Sequence, residues 1–253
     1  MKMLAHLFRA NRGRGEFRAE GDVIWMYDMI AADDDEAMWL GGISPRQFIA
    51  ALAATSGPVT LRINSPGGSC FGAQAMVVAM RAHPHPIMAQ VDSLAASAAS
   101  VIAAEAAECA MAQGAQMMIH KCWSLVIGNA DDLRHSAGIA DRIDGEMAAT
   151  YARRAKADDA APWMERMAAE TWYTAAEAVA AGLADRVIAT STQRAQARWD
   201  LSAFARAPVP ELPLPELPLS GLSEDPPVVL PPAPDVSAMR VRQLAVRLAA
   251  NPI

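Results

Sequence analysis

Twice between Val59 and Glu108 the chain runs from a short β-branched strand, through turn residues, into a helix. Val59 to Ile63 is followed by Asn64-Ser65-Pro66-Gly67-Gly68 and a helix predicted over Gly72 to Arg81; Ile87 to Val91 is followed by a helix predicted over Ser97 to Glu108. His83-Pro84-His85-Pro86 separates the two units, because proline removes a helical N–H and pushes the residue before it out of the helical region. A repeat of about 30 residues built this way is the mark of βαβ crossovers, so the chain is expected to be α/β with a mainly parallel sheet.

The flanking elements fit that frame. Val23 to Tyr27 reads as a strand and Asp33 to Glu36 as an acidic loop. Ser44-Pro45-Arg46-Gln47 combines a capping hydroxyl, proline at the first helical position and a glutamine that can bond back, opening a helix that runs to about Ala54. Cys109 to Ala112 and Met117 to His120 read as extended. From Ala130 to Lys156 the apolar positions Leu133, Ala137, Ala140, Ile143, Met147 and Tyr151 step by three or four, giving a long amphipathic helix. A helix over Ala161 to Ala169, a capping box at Thr174-Ala175-Ala176-Glu177 whose helix stops at Gly182, and a strand over Asp185 to Ala189 complete the pattern.

After Thr190 the pattern fails. Ten of the 17 prolines fall between Pro208 and Pro234, where polyproline-like extension is expected. The sequence therefore divides into a flexible basic arm at 1–20, a folded domain at 21–191, a largely disordered Pro-rich linker at 192–235, and a short helix or docking peptide at 236–253. The apolar fraction of 53% overstates the core, because 55 of the 253 residues are alanine.

A formal charge of −6 with intermixed signs disfavours a nucleic-acid partner, which needs a concentrated basic surface. Cys70, Cys109 and Cys122 form no CxxC pair, so neither disulfides nor a metal site is expected, in keeping with a reducing cytoplasm. The N-terminus has no sustained apolar run and is not read as a secretory signal. Leu94 to Ala112 carries Glu105 and Glu108, so it reads as a buried or interfacial helix and not a membrane span.

The Gly67-Gly68 loop could cradle a phosphate, form an oxyanion hole or simply turn the chain. No lysine follows it, and neither GxGxxG nor GxxxxGK is present, which weakens the first use. Ser97, at a strand-to-helix junction among small neighbours, is placed as a nucleophile would be, although alanine-rich helices also carry serine for packing. Of five histidines, His6 lies in the arm, His83 and His85 in a proline turn and His135 on the exposed side of the long helix. His120 alone ends a buried-looking strand.

In order and spacing, Ile63-Asn64-Ser65-Pro66-Gly67-Gly68, Ala95-Ala96-Ser97, Met118-Ile119-His120, Thr174-Ala175-Ala176-Glu177-Ala178-Val179 and Gly182-Leu183-Ala184-Asp185 resemble the Clp protease proteolytic subunit from about Gly21 to Thr190. Trp39 with Gly41-Gly42-Ile43-Ser44, Leu94 to Ser100, Asn129 to Arg134 and Glu170-Thr171-Trp172 are similar to its phage and prophage branch, typically head maturation proteases. The resemblance implies a Clp/crotonase-like fold of βαβ units with a long handle helix, and a homo-oligomeric ring, heptameric or stacked. It implies a serine endopeptidase with Ser97 as nucleophile, His120 as base and Glu170 as triad acid. Gly68 and Ala98 would give the oxyanion amides, and Ser69, Cys70 and Trp123 would contact substrate. Glu170 stands where the housekeeping enzymes have aspartate, and Lys121-Cys122-Trp123-Ser124 replaces their glycine-containing substrate strand. No cofactor is implied. The expected substrates are capsid or scaffold proteins in the host cytoplasm or the assembling head, with a portal, capsid or ATPase partner. A degradative subunit fed by an ATP-driven unfoldase and a non-catalytic ring-forming assembly factor are the alternatives.

Overall fold

The computed structural model describes residues 3–124, 126–189 and 199–208, all within one compact unit, Met1–Val209. The strands β1 (Glu16–Glu20), β2 (Val23–Tyr27), β3 (Val59–Ser65), β4 (Ile87–Ala96), β5 (Glu108–Ala112) and β8 (Arg186–Ile188) lie side by side in that order, and only the β1–β2 pair is antiparallel. The architecture is thus mixed α/β with mainly parallel pairing. The helices, in chain order, are α1 (Met3–Asn11), α2 (Asp34–Leu40), α3 (Pro45–Ala53), α4 (Cys70–Ala82), α5 (Ala98–Glu105), α6 (Ala130–Arg154), α7 (Ala161–Ala168) and α8 (Ala175–Ala180).

β4 organises the sheet. Along one edge it pairs with β3; along the other, Met88 to Val91 pair with β5 and Leu94 to Ala96 pair with β6 (Gln116–Ile119). β6 in turn pairs antiparallel with β7 (Thr171–Thr174). The C-terminal ends of β3, β4 and β6 therefore meet; Ser97 follows β4 at once, His120 follows β6 at once, and the Gly67-Gly68 loop leaves β3 one residue later.

The helices form where the sequence supplies ends. Ser44 and Gln47 make the expected capping box on α3, Asn129 and Asp132 one on α6, and Thr174 and Glu177 one on α8. α5 is buried all along, from Ala98 to Ala104, which accounts for its alanines: a helix enclosed on every side must be apolar around its whole circumference and thin enough to fit.

Three expectations are corrected. The acidic stretch read as a loop opens α2, because Asp33 caps the Glu36 N–H and Asp34, Asp35 and Glu36 lie at the positive end of the helix. The arm read as flexible is α1, with Leu7 and Phe8 buried, followed by β1, held by five backbone pairs with β2. Within the span read as disordered linker, residues 199–208 are ordered in turns, with Ala203 and Phe204 buried. The rest of that linker, at 192–198 and 209–235, and the helix expected at 236–253 lie outside the described residues.

β2, β3 and β4 are tied by one polar network. Arg62 on β3 donates from Nε and Nη2 to the two carboxylate oxygens of Asp92 on β4, at 2.8 and 2.7 Å, and Tyr27 Oη donates to the same carboxylate at 2.5 Å. Asp92 is almost fully buried, so removing it would strand a guanidinium and a phenol. Asp92→Ala is predicted to lower the unfolding free energy by about 3 kcal/mol, read from urea denaturation; an unchanged midpoint would refute the network's role.

Candidate active site

Ser97 is the residue after β4. Its φ of 54° and ψ of −126° are unusual for a residue with a side chain, and such strain persists only where the surroundings impose it. Here they do. The Ser97 N–H donates to Met118 O on β6 at 2.8 Å, and the Ser97 carbonyl accepts from the Ser100 N–H at 2.9 Å and from Ser100 Oγ at 2.6 Å. Ser100 Oγ also lies 2.7 Å from Tyr151 Oη, so fully buried Tyr151 on α6 braces the turn from behind.

From the other side comes the loop after β3. A Cβ on Gly67 would lie 2.6 Å from Ala96 O and 2.7 Å from Ser97 Cβ, so only glycine permits this approach. Gly68 forms an isolated parallel bridge with Ile30, in which the Ile30 N–H donates to Gly67 O and the Ser69 N–H to Ile30 O. In such a bridge the N–H of Gly68 itself faces the opposite edge, and Gly68 and Ser97 line the same small cavity. The Ala98 N–H, at the first position of α5, has no partner within the helix. Gly68 therefore lines the cavity that holds Ser97, and Ala98 follows Ser97 at the start of α5.

His120 follows β6, and its Nε2 lies 2.7 Å from Ser97 Oγ. Burial pushes the imidazole down to about 4, against the opposing influence of the Glu170 charge, so it is neutral at ordinary pH. With the proton on Nδ1, Nε2 accepts the serine hydroxyl.

Glu170 lies at the tight turn between α7 and β7, with φ 50°. It makes no hydrogen bond to His120 in this structure. Its Oε1 accepts from Trp172 Nε1 at 3.2 Å and from the Arg206 N–H at 2.6 Å, and its Oε2 accepts from the Ala205 N–H at 3.0 Å.

The three residues expected to contact substrate fall differently. Ser69 is used structurally, its Oγ capping α4 by accepting from the Gly72 N–H at 3.1 Å. Cys122 Sγ donates to Ala140 O at 3.7 Å, and interaction with the neighbouring thiol holds Cys70 below its ordinary value and raises Cys122. Trp123 meets His120 edge-on at 4.6 Å and stacks on Phe204 at 5.2 Å. Leu7, Phe204, Cys70 and Trp123 close the space over Ser97 and His120 to about 10 Å³, room for roughly one water. A larger groove of about 320 Å³ between α4, α5 and α6, lined by Phe71, Val101, Ile143 and Met147 among others, contains no paired nucleophile and base.

Sequence reasoning missed Ser100, Tyr151, Leu7, Trp172 and Phe204. A signal existed for two of them: Leu4, Leu7 and Phe8 make an apolar helical stripe in the arm, and Trp199, Leu201 and Phe204 are bulky residues just before the prolines. Among the described residues no group of His, Cys, Asp or Glu is arranged to hold a metal ion, and no helix is long and apolar enough to cross a membrane.

A serine hydroxyl within hydrogen-bond reach of a buried imidazole at a strand-to-helix turn is a geometry in which the imidazole can serve as base toward the hydroxyl. The family model for Clp protease matches residues 45–191, more than half of the chain, and the protein belongs to the Clp protease family. Its members are serine peptidases that act on protein substrates and form oligomeric rings. No curated protein matches the chain.

The depressed pKa of His120 has a consequence for stability. Between about 4 and its unfolded value of about 6.5, the unfolded chain binds more protons than the folded one, so folding weakens as pH falls through that window and levels off below it. The group accounts for about 3 kcal/mol of that loss. Comparing the pH dependence of urea unfolding in wild type and His120→Gln isolates the contribution, and a C2–H resonance that titrates near about 6.5 in the folded wild type and is missing from His120→Gln would contradict it.

Proposed function

We propose that the protein is a ring-forming serine endopeptidase that processes capsid or scaffold proteins during phage head maturation. The 2.7 Å contact between Ser97 Oγ and His120 Nε2 at a strained strand end is the observation that carries the peptidase assignment. Ser97 Oγ attacks the peptide carbonyl as its proton passes to His120 Nε2; the proton then goes to the departing amine, and water, deprotonated by the same imidazole, releases the acyl group. The Gly68 and Ala98 amides receive the oxyanion, each contributing on the order of 3 kcal/mol in the transition state. Glu170 orients the imidazole through Nδ1–H once its carboxylate is released from residues 205–206, and Trp123 supplies the side-chain contact to substrate.

The head-maturation role rests on the sequence resemblances at Trp39 to Ser44, Leu94 to Ser100, Asn129 to Arg134 and Glu170 to Trp172, and on a Pro-rich tail suited to docking on a capsid or portal. The place of action is then the host cytoplasm or the assembling head, and the partners are further copies of this chain and the capsid proteins.

Mass spectrometry of a co-expressed capsid operon is expected to show defined cleavages in capsid or scaffold proteins with the wild type and a loss of about 10³-fold or more with Ser97→Ala. Equal cleavage by both would overturn the peptidase assignment; cleavage confined to unrelated proteins would overturn the head-maturation role.

A further inference from the structure

The closure over Ser97 is built from two segments far apart in sequence. Asn11, fully buried at the end of α1, donates from Nδ2 to Leu7 O and to Asp200 O, at 2.9 and 3.0 Å, and accepts the Asp200 N–H on Oδ1 at 2.7 Å. His6 Nε2 lies 3.0 Å from Ser202 Oγ, and Trp199 Nε1 donates to Asn64 Oδ1 in the strand leading to Gly67. Leu7, Phe8, Ala203 and Phe204 share one buried cluster with Leu94, Ala96 and Met118, residues of the two strands that carry Ser97 and His120. The Phe204 ring fills an aromatic slot, 5.6 Å from His120 edge-on, 5.2 Å from Trp123 stacked and 5.9 Å from Trp172 edge-on.

The same segment takes up Glu170. The Ala205 and Arg206 N–H groups donate to its two oxygens, so the carboxylate assigned to orient His120 is occupied by the segment that covers Ser97. Residues 199–208 do not sit as a substrate would. A peptide bound for cleavage adds to a sheet as an extended strand, whereas the Phe204 N–H donates to Leu201 O at 2.9 Å and closes a turn.

We propose that the slot beside Ser97 is a binding site for a bulky aromatic side chain, filled in the resting protein by Phe204 of the same chain, so that residues 199–208 act as a built-in inhibitor. The occupant that displaces it is a polypeptide bearing such a side chain. Displacement uncovers Ser97 and frees Glu170 in one step. This rests on the assignment of Ser97 and His120 as the reacting pair.

The test uses the full chain, wild type and Phe204→Ala, with two readouts. If the slot is self-filled, a fluorophosphonate labels Ser97 at least ~10-fold faster in the variant, as a corresponding rise in the open fraction requires. Acrylamide quenching of tryptophan fluorescence also rises, because Trp123 and Trp172 lose their cover. A free peptide of residues 199–208 slows labelling again, and the same peptide with alanine for Phe204 does not. Arg206→Pro, at an exposed position, removes one donor to Glu170 without touching the slot and is expected to accelerate labelling in the same direction, which keeps the test independent of how well Phe204→Ala folds. Equal labelling and equal quenching in all three proteins would overturn the proposal. If quenching rises but Ser97 is never labelled, the covered slot stands and the assignment of the nucleophile fails.

Discussion

The close approach of the Gly67 backbone to Ser97 is the constraint on which the site depends. Parallel pairing of β3 and β4 brings their C-terminal ends to one edge, and the loop leaving β3 then has to pass within van der Waals contact of the first turn of α5. Any side chain at position 67 would collide with Ala96 O and Ser97 Cβ. Because the loop can come this close, the amide of Gly68 reaches the cavity that holds the serine. The Arg62–Asp92–Tyr27 network keeps the three strands in register behind it, so the geometry at the edge is fixed by charges buried in the sheet.

Strain at Ser97 is held by hydrogen bonds from separate elements. β6 fixes its N–H, Ser100 fixes its carbonyl, and Tyr151 fixes Ser100. None of these touches the hydroxyl, which is left to His120. The outcome is a serine and a histidine already paired, in a cavity of about 10 Å³, with the Glu170 carboxylate engaged elsewhere.

Much of this was legible in the sequence. The strand, glycine loop and helix repeat pointed to the mainly parallel sheet, and position at strand ends drew attention to the Gly67-Gly68 loop, Ser97 and His120, while the roles expected of them came from the family resemblance. The cover was not legible in the same way. Leu7 and Phe204 lie 197 positions apart, and neither local periodicity nor composition says that two short segments bury each other. The proline cluster concealed ten ordered residues at its edge, and the basic arginines of the arm concealed an apolar stripe. Ser69 shows a role that position did not announce: expected as a substrate contact, it has its hydroxyl engaged in capping α4. Tyr151 read simply as one more apolar step on the long helix, since periodicity cannot tell a packing ring from one whose hydroxyl braces an active turn.

The most direct measurement is a crystal structure of the phosphonylated protein. The prediction is a phosphonyl group on Ser97 Oγ, fluoride having left, with its phosphoryl oxygen about 2.7–3.1 Å from both the Gly68 and Ala98 nitrogens and His120 still beside the ester oxygen. An adduct on another residue, or an oxygen turned to solvent with those amides unused, would contradict the assignment of this edge of the sheet as the catalytic centre.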